Sequence, residues 1–76
     1  MSKAEDILSA LGGAPNVVVV EPCITRLRVE VKDPAVVGEN DLKANGAFGV
    51  VRTGHVVQIV VGPEADDLAE EISTLL

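Results

Sequence analysis

The run "RLRVEVK", Arg26 to Lys32, alternates without a break, and no other stretch restricts the fold as much. Leu27, Val29 and Val31 point to one side of an extended chain, and Arg26, Arg28, Glu30 and Lys32 to the other. Such a strand belongs in a sheet with one covered and one wet face, so any helices must gather on the covered side. At 76 residues the chain can bury only roughly 60% of the surface it exposes when unfolded. That makes one domain, residues 1–76, with one modest core. The core is aliphatic, because the sequence has a single Phe and no Trp or Tyr.

The flanking segments supply the other elements. "SKAEDILSALGG" opens with a capping box, Ser2 with Glu5, places Ala4, Ile7, Leu8 and Leu11 on one helical face, and stops at Gly12 and Gly13. "NVVVVEP" is β-branched and reads as a strand interrupted at Pro22, forming a hairpin with the alternating strand whose tip carries Cys23. "DPAVVGEN" connects to a short helix, "DLKANG", and "AFGVVR" with "HVVQIVVG" make a second hairpin around "TG". In its last strand Val57, Ile59 and Val61 share one face, and Val56, Gln58 and Val60 the other. "PEADDLAEEISTLL" closes the chain as a helix, with Ala65, Leu68, Ala69, Ile72, Leu75 and Leu76 at helical spacing on the sheet side. The predicted fold is α+β, a two-layer sandwich in the order α-β-β-α-β-β-α, with antiparallel strand pairs and helices on one face.

Composition removes several function classes. Twelve acidic and six basic residues give a net charge of −6, which repels a phosphate backbone, and aromatic platforms for bases are missing. Nucleic acid is therefore not an expected partner. One cysteine forbids an internal disulfide, and no Cys/His cluster has metal-ligand spacing, so neither metal nor cofactor is expected. A single cysteine gives no sign of an oxidising compartment, so the cytoplasm is expected, and apolar runs such as "VVQIVVG" are far short of the ~20 residues a bilayer span requires.

The chemistry converges on Cys23. A lone cysteine in a small domain is ordinarily a buried hydrophobe, but this one follows Pro22 at a chain reversal, where exposure at a rim is expected. Arg26 and Arg28 follow within five residues. Nearby guanidinium groups favour the nucleophilic thiolate, and their planar forks can hold a phosphoryl group by paired, charge-assisted hydrogen bonds. The backbone N–H groups of Ile24 and Thr25, with the Thr25 hydroxyl, can complete a nest for phosphate oxygens. His55 follows Gly54 at a turn and reads as an exposed hairpin residue rather than a base. A nucleophile with an anion clamp and no general base suits phosphoryl relay, since attack on an activated phosphoryl group needs little proton transfer.

The segments "CITRLR", "LKANGAFGVV" and "VVQIVVG", in this order and spacing, resemble the enzyme IIB domains of the bacterial phosphoenolpyruvate-dependent sugar phosphotransferase system, glucose and N-acetylglucosamine class. The resemblance spans essentially the whole chain. It implies that Cys23 is a phosphocysteine, loaded from a histidine of the IIA protein and unloaded onto sugar held by the membrane IIC permease. The sugar would be N-acetylglucosamine or glucose, and the chain would work at the inner face of the membrane. Arg26 and Arg28 match the motif arginines, tied above all to the transfer to sugar. Thr25 matches the motif threonine, and Gln58 the glutamine of the last strand. The implied fold is the one derived above, with a single four-stranded antiparallel sheet of order 1-2-4-3, which sets Gln58 near Arg28. Relatives often carry Asp two residues before the cysteine, where this chain has Glu21.

Many relatives are fused to IIC, whereas Met-Ser-Lys at the start and an end at Leu76 suit a free-standing IIB chain, although a piece of a fusion would look similar; small size and alternating partners suit a monomer. Two other readings are a regulatory module that binds its partner according to phosphorylation, and a thiol redox sensor. A redox role lacks a C-x-x-C partner.

Overall fold

The computed structural model describes residues 2–76; Met1, which enters the free-standing expectation, lies outside them. Seven regular elements follow the anticipated order: α1 (Lys3–Ala10), β1 (Val17–Cys23), β2 (Arg26–Val31), α2 (Glu39–Ala44), β3 (Gly49–Thr53), β4 (Val56–Val60) and α3 (Ala65–Thr74). The strands form one antiparallel sheet in the order β1-β2-β4-β3.

Helix α1 begins as its sequence dictates. The Ser2 hydroxyl accepts from the Glu5 N–H at 3.2 Å, and the Glu5 carboxylate accepts from the Ser2 N–H at 3.0 Å. The backbone bond from Ser2, and then its hydroxyl, hold the Glu5 carboxyl below its ordinary value of 4.5. Ala4, Ile7, Leu8 and Leu11 are buried in the common core, where α1 lies against α2 and α3. So are Leu27, Val29 and Val31 of β2, and Val57, Ile59 and Val61 in and just beyond β4. From α3 the core takes Ala65, Leu68, Ala69 and Ile72. Leu75 and Leu76 do not join them, at 39% and 51% exposed. The helix ends at Thr74, so the last two side chains leave its buried stripe.

Two features of β1 depart from expectation. The strand is not interrupted at Pro22 but continues through it to Cys23, with Pro22 opposite Leu27 and Cys23 opposite Arg26. A two-residue hairpin closes on a hydrogen-bonded pair, so the next pair back is non-bonded, and the proline nitrogen points to the outer edge where no donor is needed. Asn16 is not part of the strand; it ends a short 3₁₀ turn, Ala14–Asn16, and is buried. Its amide donates to the carbonyls of Leu11 (2.8 Å) and Asp33 (3.0 Å), and its carbonyl accepts from the Asp33 N–H (2.9 Å). One side chain thus ties the end of α1 to the exit of β2. A bulge between Val17 and Val19 leaves Val18 outside the register, 53% exposed.

Candidate functional site

Helices α2 and α3 pack against strands of the sheet and α1 against those two helices, and cross-strand register orders the open face into rows. At the hairpin end, Cys23 of β1 faces Arg26 of β2, which faces Val60 of β4, which faces Gly49 of β3. In the next row Glu21 faces Arg28, Gln58 and then Val51. Directly opposed residues share a face, so the thiol, both arginines, Glu21 and Gln58 stand together on the open side. Cys23 is a free, exposed cysteine.

Each arginine has a holder. Arg26 reaches diagonally and donates from Nη1 to Gln58 Oε1 at 3.1 Å. Arg28 lies across from Glu21, with Nη1 3.6 Å from Oε1, both side chains about half exposed. Gln58 is therefore Arg28's neighbour by register, as the strand order implied, but Arg26's partner by hydrogen bonding.

The turn joining Cys23 to Arg26 is Ile24-Thr25, and Ile24 has φ 60°. A positive φ at the first turn position alone is the pattern of a type II′ turn, where glycine is the usual residue. A β-branched side chain there is strained. The side chain is not held by packing, since Ile24 is 89% exposed. The turn is fixed from behind instead: the Thr25 carbonyl accepts from the N–H groups of Val61 (3.0 Å) and Gly62 (2.9 Å) at the end of β4. Among the described residues, neither the Ile24 nor the Thr25 N–H donates to a backbone acceptor.

The remaining residues sort themselves. His55 is exposed at the far hairpin, its Nδ1 3.1 Å from the Val31 carbonyl, which requires the ring proton on that nitrogen. It is at the opposite end of β2 from Cys23. Phe48, the one aromatic residue, is 79% exposed at the hairpin end of the sheet, where its N–H donates to the Val60 carbonyl. Sequence reasoning passed over Ile24's strain, the Glu21–Arg28 pair and exposed Phe48; of these, only the glutamate's place on the same side of its strand as Cys23, two residues away, could have been read beforehand. Among the described residues no cluster of three metal-ligating side chains occurs, and no helix is long and apolar enough to cross a membrane.

Comparison with known proteins gives the family and the fold. A family model described as phosphotransferase system, EIIB, matches residues 5–37. The chain is 53% identical over 75 residues to an N-acetylglucosamine-specific EIIB component of Streptomyces coelicolor, covering 99% of this chain and 97% of that one. It is 46% identical to part of a maltose-specific EIICB component of Escherichia coli, covering 92% of this chain but 13% of the relative. A glucose-specific EIICBA component of Streptococcus pneumoniae is 47% identical, covering 99% of this chain and 10% of the relative. In structure, the chain matches one domain of a phosphotransferase IIabc component from Clostridium difficile with a TM-score of 0.80 at 25% identity, over 95% of this chain and 76% of that one.

Proposed function

Because the chain belongs to the EIIB family of the sugar phosphotransferase system, we propose that Cys23 is the residue through which it carries phosphate. The observation that supports this above any other is the placement of an exposed thiol directly across from Arg26, with Arg28 in the adjacent row of the same open face. A nucleophile on an uncovered surface, not in a cleft, suits chemistry carried out on groups presented by other proteins.

The relay has two displacements. First, the Cys23 thiolate attacks the phosphorus of a phosphohistidine on IIA; the S–P bond forms as the N–P bond breaks, and the histidine nitrogen keeps the electron pair. Second, a sugar hydroxyl on IIC attacks the same phosphorus, sulfur leaves as thiolate with its pair, and the hydroxyl proton passes to a base outside this chain. Arg26 and Arg28 neutralise the phosphoryl oxygens, above all as the group passes to sugar. The N–H groups of Ile24 and Thr25, with the Thr25 hydroxyl, receive the remaining oxygens, and Gln58 keeps Arg26 within reach. Exposed Ile24 and Phe48 provide small apolar contacts for transient partners, which must separate quickly for the relay to turn over.

The names of the relatives suggest the partners. Those in which IIB is joined to IIC, or to IIC and IIA, point to these as donor and acceptor, at the inner face of the membrane. The relative matched along nearly its whole length is specific for N-acetylglucosamine, which favours that sugar over glucose. We therefore read the chain as a monomeric, cytoplasmic carrier. The test is to supply phosphoenolpyruvate, the general phosphotransfer proteins and IIA, and to follow intact mass. The wild type should gain one phosphoryl group and Cys23→Ser none. Uptake that survives Cys23→Ser would refute the assignment.

A further inference from the structure

We propose that Glu21 is a resident competitor for Arg28, and that its carboxylate keeps a phosphoryl group on Cys23 loosely held and ready to leave. This rests on the assignment of Cys23 as the carrier. The two arginines are held in chemically different ways: Arg26 by a neutral amide at 3.1 Å, Arg28 by a carboxylate at 3.6 Å. Glu21 is directly opposite Arg28 and shares Cys23's face, two positions back along β1. Two strand residues span about 7 Å. A phosphoryl group brings about −1.5 to −2 charge, so loading Cys23 sets two anions beside one another and makes both compete for Arg28. Measured against the protonated thiol as reference, the competition falls on the loaded state, because that form brings no second anion while the phosphoryl group does. Glu21 thus raises the free energy of the phosphocysteine relative to the free thiol. A carrier that must surrender its cargo gains from this, since a clamp that bound the cargo too well would stall the second displacement.

The expected effect follows from Coulomb repulsion between the carboxylate and the phosphoryl group at that separation. Glu21→Gln should shift the equilibrium between phosphorylated IIA and phosphocysteine toward phosphocysteine by about fivefold at low ionic strength, falling to about twofold near 0.15 M salt. Onward transfer to sugar should slow correspondingly. Glu21→Ala should give the same shift, and Glu21→Asp, which keeps the charge, should restore wild-type behaviour. Far-UV circular dichroism confirms that each variant is folded. A neutral variant whose equilibrium equals the wild type's, or lies toward the free thiol, overturns the role of Glu21 and leaves Cys23 as the carrier. A wild-type protein that takes up no phosphate overturns the carrier assignment and this inference with it. A shift that Glu21→Asp fails to reverse also overturns it, since the side chain would then act through shape instead of charge.

Discussion

Replacing Ile24 with glycine should make the protein more stable, although it deletes an apolar side chain. The residue sits at φ 60°, where an L-residue with a Cβ pays about 1–2 kcal/mol. Glycine has no such penalty, but it adds about 0.5–1 kcal/mol of unfolded-state entropy. Lost burial hardly enters, since Ile24 is 89% exposed. The balance is a gain centred on about 0.75 kcal/mol, or about 3–6 °C in Tm for a chain of this size. Without Trp or Tyr the measurement is far-UV circular dichroism on heating. Thr25→Gly is the matched control: its φ is not positive, so glycine there brings the entropy cost without relief and should lower Tm. An Ile24→Gly protein with unchanged or lower Tm would refute the reasoning, because the strain would then not be present in solution.

Asn16→Ala should cost about 2–4 kcal/mol, because it leaves the Asp33 N–H and the Leu11 and Asp33 carbonyls without their buried partner; a drop in the urea midpoint at unchanged slope reads it out. Glu5 gives a pH signature. Its carboxyl is held below 4.5 by the Ser2 backbone bond first and the Ser2 hydroxyl second, so its charge-linked contribution is present above pH 4.5 and lost as pH falls through the lower folded value. Glu5→Gln can keep the reciprocal bonds with Ser2, and should therefore flatten this part of the pH dependence when Tm at neutral pH is compared with Tm at about pH 3.

The element order was readable because its signals are local. Ser2 with Glu5, the alternation from Arg26 to Lys32 and the β-branched runs each declare themselves within a few residues, and each is found. The meeting of Cys23, Arg26, Arg28 and Gln58 on one face followed from alternation, once the resemblance supplied the strand order. What was not readable depends on neighbours distant in sequence. Pro22 breaks a central strand but not an edge strand, and only the assembled sheet makes β1 an edge. Ile24 is the last residue that turn chemistry would place at a positive φ; the two hydrogen bonds to the Thr25 carbonyl from the end of β4 help to hold the turn there. Asn16 looked like the start of a strand because its three partners lie at Leu11 and Asp33, on either side of the hairpin. Leu75 and Leu76 fit a helical period that the helix does not live to use.

The irregularities of β1 also bear on how copies of this chain behave when concentrated. An outer strand exposes a row of backbone groups on which a second molecule's strand could add, the first step toward fibres. Here that row is broken twice: Val18 is thrown out of register at one end, and Pro22 offers no donor at the other. With a net charge of −6 adding mutual repulsion, the strand that presents the thiol is a poor template for its own kind. The edge that carries the exposed thiol can stay uncovered without being lost to self-assembly.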